Sequence, residues 1–252
     1  MQLLEVDNLK MYYELIGNRY VRAVDDDSLS LERGASLGIV GESGCGKSSL
    51  AITIMRLLPS NAKVMNGQIK LDGIDILTMP ESKLRRDIRW KRISMVFQGA
   101  MNVLNPVLKI GDQVAEAILA HENITKKEAW ERTKELLSLV GIDPSRARNY
   151  PHEFSGGMRQ RTVIATALSS NPDIVIADEP TTALDLIVQA QILKLLKDLK
   201  ERLGLSLILI SHDVSIISEM SDNVAVMYAG RIVEYGNSMD VFLNPLHPYT
   251  VS

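Results

Sequence analysis

One short segment, residues 41–49, limits the possible folds of this chain more than any other part of its sequence. It reads GESGCGKSS, in which two glycines bracket four residues and a lysine and a serine follow at once. Residues 35–40 before it are typical of a buried strand, and residues 49–55 after it of a packed helix. Backbone N–H groups at the start of a helix attract anions, so a strand, a glycine-rich loop and a helix in this order predict a phosphate-binding loop.

The side chains of this loop indicate a nucleotide as its ligand. Lys47 has the position from which an ammonium reaches the β- and γ-phosphates, and the hydroxyl of Ser48 suits one corner of a Mg²⁺ octahedron. Cys45 is interpreted as a small residue in a tight turn, with a redox-sensing role as the alternative. We expect eight residues to contact the nucleotide: Gly41, Ser43, Gly44, Cys45, Gly46, Lys47, Ser48 and Ser49.

Composition excludes several classes of protein. The 252 residues are 46% hydrophobic, which is ample for one domain, or one domain with a lobe. A net charge of −3 without a basic patch argues against a nucleic-acid partner. No apolar run approaches the roughly 20 residues of a membrane-spanning helix and no signal peptide is evident, so we expect a cytosolic protein docked to a membrane component. A single cysteine excludes an intrachain disulfide framework and a cysteine-based zinc site.

The hydrophobic pattern predicts an α/β fold. Short β-like runs within residues 2–32 indicate an antiparallel sheet, whereas the apolar runs at 173–178 and 206–210 indicate buried strands of a mainly parallel sheet. From about residue 107 to 170 the pattern is helical, with a capping box at Thr125 and Glu128 and a stop at Gly141. We therefore expect a nucleotide-binding core at 1–98 and 171–243, an inserted helical lobe at 99–170 and an irregular end at 244–252.

A second polar site follows the predicted strand at 173–178. Asp178 and Glu179 end this strand, where side chains of a parallel sheet face the ligand crevice. Asp178 suits the metal shell, directly or through water, and Glu179 the orientation or deprotonation of an attacking water. The alternative is a solvated acidic loop.

The segment FSGGMRQR, residues 154–161, resembles the signature motif of ATP-binding-cassette (ABC) ATPases. The resemblance covers essentially the whole chain and implies the ABC ATPase fold. In that family two cassettes close head to tail over two ATP molecules. Ser155, Gly156 and Gly157 would then bind the ATP held by the phosphate loop of a second subunit.

Two other positions match family motifs that bear on hydrolysis. Gln98 resembles the Q-loop glutamine, a ligand of Mg²⁺ or water at the hinge to the helical lobe. His212 follows a predicted strand and resembles the switch histidine that senses the γ-phosphate. With Lys47 and Glu179, these two residues form the expected catalytic set.

Two further matches concern the partner cassette and the adenine base of ATP. Residues 182–185 resemble the D-loop, which places Asp185 near the opposite subunit and its nucleotide. Tyr13 fits the position where an aromatic ring stacks on adenine. Tyr12 is the rival, and a surface strand tyrosine without a ligand is the third possibility.

Finer features resemble the ATPases of oligopeptide, dipeptide and nickel importers: the methionine of FSGGMRQR, residues 105–106 and 188–193, and NPLHPYT near the end. The resemblance implies an ATP- and Mg²⁺-dependent ATPase that drives uptake through separate transmembrane subunits, served by an extracytoplasmic binding protein. Members continue past HPYT, so the chain is expected to be a short member or one cut before an extension. Gly99 and Ala100 depart from the group's pattern, which is expected to alter the contact with the permease.

Alternative functions remain open at this stage. A nickel or other small-solute importer has the same motifs. Soluble ABC ATPases of DNA repair or translation have long coiled-coil insertions or two cassettes in one chain, and neither is evident here. A cassette that binds ATP without hydrolysing it is disfavoured by Glu179 and His212.

Overall fold

The computed structural model describes residues 2–17, 19–99 and 103–251. Contacts divide the chain into two compact units. The first comprises Met1–Leu84 and Ser206–Ser252, and the second Arg85–Leu205.

The strands of the described residues are, in chain order, β1 (Gln2–Leu15), β2 (Arg19–Glu32), β3 (Ser36–Val40), β4 (Ala62–Leu71), β5 (Ile74–Asp75), β6 (Ile93–Val96), β7 (Ile174–Asp178), β8 (Ser206–Ser211), β9 (Asn223–Tyr228) and β10 (Arg231–Asn237). The α-helices are α1 (Lys47–Ile54), α2 (Glu81–Asp87), α3 (Ile110–His121), α4 (Lys126–Leu139), α5 (Gly156–Ala167), α6 (Leu186–Leu203), α7 (Val214–Met220), α8 (Ser238–Leu243) and α9 (Pro248–Val251). No helix in this part of the chain combines the length and apolar character needed to cross a membrane.

The first unit contains an antiparallel sheet of order β2-β1-β4-β5. The predicted short runs within residues 2–32 are two strands of 14 residues each. β4 begins at Ala62 and passes through Gly67 at φ +108°. A Cβ at Gly67 would lie 2.6 Å from the Cα of Leu9, so only glycine lets β4 approach β1 this closely.

The first unit also contains the strands that carry the phosphate loop. β3 pairs in parallel with β8 on one side and β9 on the other, and β10 pairs antiparallel with β9. All residues of β3 and β8 are buried, which explains their nearly continuous apolar sequences. Both strands therefore end at the same edge of the sheet, and the loop and His212 follow there.

The second unit contains the parallel pair β6–β7 and most of the long helices. α4 begins with the predicted capping box, since the Thr125 hydroxyl accepts from Glu128 N and the Glu128 carboxylate from Thr125 N. Gly141 ends this helix at φ +74°. Residues 104–170 hold helices and no strand within the described range, as the helical pattern predicts.

The predicted fold class is confirmed: the structure combines parallel strands, an antiparallel sheet and helices. The predicted lobe at 99–170 stays a prediction. The division of the chain by contacts falls after Leu84 and after Leu205 and does not test it. Residues 100–102 of that lobe lie outside the described residues.

Candidate active site

The residues predicted to act on the nucleotide fall into two groups. The first unit holds Tyr13, the phosphate loop at 41–49 and His212. The second unit holds Gln98, Ser155, Gly156, Gly157, Asp178, Glu179 and Asp185.

The phosphate loop connects β3 to α1 and needs glycine at both ends. A Cβ at Gly41 would lie 2.1 Å from the carbonyl oxygen of Met227. Gly46, which precedes α1, has φ +114°, and a Cβ there would lie 2.1 Å from the carbonyl oxygen of Ala23. Both distances are too short for any side chain. Around Gly44 the space within 4 Å of an added Cβ is open, so the tip of the loop is accessible to a ligand.

Lys47 makes the loop suitable for an anion. The residue is only 5% exposed, and its ammonium donates to the carbonyl oxygens of Gly41 at 2.6 Å and Glu42 at 2.8 Å. The Cys45 thiol lies 3.7 Å from Nζ. A buried ammonium among neutral acceptors is costly, and an anionic ligand would offset that cost with charge-assisted hydrogen bonds. The loop, Lys47 and the N-terminus of α1 therefore fit a phosphate group.

The first turn of α1 carries two of the other predicted contacts. Ser48 is exposed, so its hydroxyl is accessible to a metal ion. The Ser49 and Tyr13 hydroxyls lie 3.1 Å apart. The Tyr12 hydroxyl instead donates to the carboxylate of Asp25. Of the two adjacent tyrosines, Tyr13 is thus the one that contacts α1, the helix after the phosphate loop.

His212 follows β8 directly and is exposed. It lines a cavity of about 550 Å³ together with Gly41, Glu42 and Ser43, so the structure brings the histidine and the start of the phosphate loop together. The next residue, Asp213, caps α7. A hydrogen bond from the Ser215 hydroxyl lowers the pKa of Asp213, which keeps a negative charge beside His212.

In the second unit, Glu179 lies just beyond the end of β7, and Gln98 follows β6 by two residues. The Gln98 side-chain amide donates to Glu179 Oε2 at 2.9 Å, and the Thr182 hydroxyl donates to the same oxygen at 3.0 Å. Glu179 has φ +44°, a conformation that is uncommon for residues other than glycine. Asp178, the last residue of β7, is buried.

The glycine-rich segment at 155–157 begins α5. Ser155 is exposed, and its hydroxyl accepts from Met158 N at 3.3 Å as the helix N-cap. Gly157 is buried against α6, where an added Cβ would lie 2.6 Å from Val188 Cγ1. Asp185 caps α6 through Val188 N at 3.0 Å. The N-terminus of α5 thus presents Ser155 at the surface, where a second molecule can reach it.

Sequence reasoning missed the contact of Thr182 with Glu179. The sequence does contain a signal for this contact, because Thr182 lies three positions after Glu179, and a hydroxyl at that spacing can donate to the carboxylate. It also missed Tyr249, whose hydroxyl accepts from Glu42 N. No local pattern signals a contact across 207 positions.

Comparison with known proteins agrees with this geometry. A family model described as "ABC transporter" matches residues 24–182, which include the phosphate loop, Gln98, residues 155–157 and Glu179. The chain belongs to the ABC transporter family.

Individual relatives of this ABC transporter protein match over nearly its whole length. The oligopeptide transport ATP-binding protein AppD of Bacillus subtilis is 47% identical over 251 residues, covering 98% of this chain and 76% of the relative. The dipeptide transport ATP-binding protein DppD of the same organism is 49% identical over 252 residues, covering 99% and 75%. OppD of Escherichia coli, an oligopeptide transport ATP-binding protein, is 46% identical and covers 99% and 74%.

Solved structures show the same fold. The ATP-binding cassette MJ0796, a dimer in a post-hydrolysis state bound to ADP and Pi, superposes with a TM-score of 0.81 at 28% identity, covering 94% of this chain and 99% of that one. CbiO1 of Clostridium perfringens, part of the transporter complex cbiONQ, has a TM-score of 0.81 at 29% identity, with coverages of 96% and 91%.

Proposed function

We propose that this ABC transporter protein is an ATP-hydrolysing subunit that drives the import of oligopeptides or dipeptides through separate membrane subunits. The ATPase activity is supported by the buried Lys47 ammonium, which lies in a glycine-rich loop with an open tip. The observation that carries the substrate class is the near full-length similarity to oligopeptide and dipeptide transport proteins.

In the first unit, residues 44–49 bind the phosphates of ATP. The backbone N–H groups and Lys47 hold the negative charge, and the ring of Tyr13 supports the adenine. His212 monitors the γ-phosphate from the edge of the cavity that it shares with the loop. These residues act by positioning the nucleotide and by stabilising the charge that develops on its phosphates.

In the second unit, Glu179 orients the attacking water and accepts its proton. Gln98 and Thr182 both donate to Oε2, which holds the carboxylate in one orientation. Mg²⁺, when bound, would offset the charge that develops on the phosphates. The residues proposed to hold it are Gln98 and Asp178 in the second unit, with amide and carboxylate oxygens, and Ser48 in the first unit, with a hydroxyl, because such oxygens suit this ion.

A second cassette completes the proposed site. Ser155 is exposed at the N-terminus of α5, where it is accessible to a nucleotide held by another subunit, and a related cassette is a dimer in its ADP- and Pi-bound structure. The solution mass of Glu179→Gln with and without ATP tests this. A monomer that becomes a dimer only with ATP is expected if the chain pairs with itself. An ATP-bound monomer would show that a different cassette is required.

The location follows from the same proposal. The protein lies at the inner face of the cell membrane, attached to transmembrane permease subunits and served indirectly by an extracytoplasmic solute-binding protein. Membrane subunits that co-purify from native cells identify the transporter. A preparation that carries no membrane subunit but does carry repair or translation factors would contradict transport.

Uptake assays decide the substrate class. Cells that lack this chain are supplied with the wild type or with Lys47→Ala, and uptake of a labelled dipeptide, a labelled pentapeptide and radioactive nickel is measured. Peptide uptake restored by the wild type alone is the expected result. Restoration of nickel uptake without peptide uptake would assign the alternative substrate. Phosphate release by the purified wild type separates an ATPase from a cassette that only binds ATP.

A further inference from the structure

The C-terminal segment, residues 244–251, makes a direct contact with the phosphate loop. The Tyr249 hydroxyl accepts a hydrogen bond from the backbone N–H of Glu42 at 3.0 Å. Glu42 is the second residue of the loop, and Tyr249 lies in α9. Burial raises the pKa of Tyr249, so the acceptor is a neutral phenol rather than a phenolate.

Several contacts fix the position of this phenol. The Glu234 carboxylate in β10 accepts from Leu246 N at 2.8 Å and from His247 N at 3.1 Å. Tyr249 N donates to His247 Nδ1 at 3.2 Å. The Tyr249 ring packs against the ring of Tyr228 with centroids 4.6 Å apart. The segment is therefore anchored to β10 just before the tyrosine and to β9 at the tyrosine ring itself.

The main chain of Glu42 is held from its other side by the loop itself. Its carbonyl oxygen accepts from Lys47 Nζ at 2.8 Å and from Cys45 N at 3.2 Å. The residue whose N–H is bound by Tyr249 is thus the same residue whose carbonyl positions the Lys47 ammonium. A shift of Glu42 would move an acceptor of Lys47.

Beside the start of the loop lies a space that protein atoms do not fill. A cavity of about 550 Å³ adjoins residues 41–43 and is bounded by Phe242, His212 and Tyr249. Since this space is not filled by protein atoms, packing alone does not hold the start of the loop there. The Tyr249 hydroxyl supplies a directional contact in its place.

We propose that Tyr249 is a positioning residue for nucleotide binding, which acts through Glu42 and holds the phosphate loop in its binding shape before ATP arrives. The inference rests on the proposed function, because it assumes that the loop binds ATP. A loop ordered in advance loses less conformational entropy on binding, so the contact raises affinity without touching the nucleotide.

Tyr249→Phe tests the inference, with Tyr235→Phe as the matched control. The first variant keeps the ring against Tyr228 and removes only the acceptor of Glu42 N. The second removes a hydroxyl that donates to Ser30 O at 2.8 Å, away from the loop. For Tyr249→Phe we expect Kd for a non-hydrolysable ATP analogue and KM for ATP to rise about 3- to 10-fold, with kcat at saturating ATP unchanged. Tyr235→Phe should leave these values unchanged.

Hydrogen–deuterium exchange of the phosphate-loop peptide gives a second readout that does not depend on turnover. The Glu42 amide should exchange faster in Tyr249→Phe than in the wild type and the control. Glu234→Gln, which takes one acceptor oxygen from the anchor, should give a smaller change in the same direction. The double variant Glu234→Gln/Tyr249→Phe should not exceed Tyr249→Phe, because both act through one contact.

The outcomes separate this inference from the proposed function. Wild type that binds ATP, together with Tyr249→Phe that matches it in Kd and in loop exchange, would overturn the inference and leave the function standing. Equal effects of Tyr249→Phe and Tyr235→Phe would also overturn it, since the change would then be general. Wild type that binds no nucleotide would overturn the proposed function and this inference with it.

Discussion

The Gln98 side-chain amide and the Glu179 carboxylate lie within hydrogen-bond distance, 2.9 Å apart, although 81 positions separate them. The Thr182 hydroxyl donates to the same oxygen, Oε2. Two donors on one oxygen hold the carboxylate in place while its other oxygen, Oε1, is the atom we assign to the attacking water. Gln98 and Thr182 therefore fix the orientation of the Glu179 carboxylate.

Glu179→Gln is expected to lower kcat by about 10²- to 10⁴-fold, because the amide cannot accept the proton of the water. Binding of an ATP analogue should stay within about 3-fold of the wild type, since the phosphate loop is unchanged. Phosphate release and nucleotide binding by the same preparation check this. Glu201→Gln, at an exposed position of α6, is the control and should keep full activity. Turnover near the wild-type rate in Glu179→Gln would remove Glu179 from the role of base.

Local pattern was sufficient to predict the strand, loop and helix around Lys47, because each element depends on neighbouring residues. The two long strands at the N-terminus were predicted only in short pieces. Register shifts between Val6 and Leu9 and between Met11 and Tyr12 interrupt the alternation from which a continuous strand is read. The same irregularity explains why the sequence left the choice between Tyr12 and Tyr13 open. Because of the register shift beside these residues, the position of a tyrosine in the sequence does not tell which face of the sheet its side chain lies on.

Lys47→Met should separate binding from stability. Loss of the ammonium is expected to raise Kd for ATP about 10- to 100-fold, since hydrogen bonds from a charged donor to phosphate disappear. The melting temperature without nucleotide should equal or exceed that of the wild type, because the buried charge has neutral acceptors. Thermal unfolding with and without ATP measures both effects. A variant that melts well below the wild type yet binds ATP normally would contradict the assignment of Lys47.

Asp27 gives a pH-dependent prediction. The residue is 1% exposed, Oδ1 accepts from Ile232 N at 2.6 Å, and Oδ2 has no hydrogen-bond partner among the described residues. Burial raises the pKa of Asp27 from 3.8 to about 6. Between these values the folded state binds more protons than the unfolded chain, so its contribution to the free energy of unfolding falls as the pH rises from about 4 to 6.

Asp27→Asn should remove this dependence, because the amide keeps an acceptor for Ile232 N and has no charge. The difference in unfolding free energy between variant and wild type should move in favour of the variant by about 2–3 kcal/mol from pH 4 to pH 7. Denaturant unfolding at several pH values measures it. Asp26→Asn, at an exposed neighbour, is the control. A difference that stays constant across this range would show that Asp27 titrates normally.

Tyr12 and Tyr13 are adjacent, but we expect substitutions of Tyr13 to affect ATP binding and substitutions of Tyr12 to affect folding stability. Tyr13→Ala removes the ring that we assign to adenine, and stacking on a base contributes about 1–3 kcal/mol, so Kd for ATP should rise about 5- to 150-fold. Tyr13→Phe keeps the ring and loses only the contact with Ser49, so its affinity should stay close to the wild type. Tyr12→Phe leaves ATP binding unchanged but removes the hydroxyl that donates to Asp25, a carboxylate that Arg231 also contacts.

For Tyr12→Phe the expected effect is on folding, a loss of about 1–3 kcal/mol in the free energy of unfolding, because a buried carboxylate loses a donor. Nucleotide titrations and denaturant unfolding of the three variants are compared in one buffer. The assignment of Tyr13 would be wrong if Tyr12→Phe weakened ATP binding while Tyr13→Ala did not. Affinity lost equally in Tyr13→Phe and Tyr13→Ala would instead assign the effect to the hydroxyl contact with Ser49 and not to stacking, because only the first variant retains the ring.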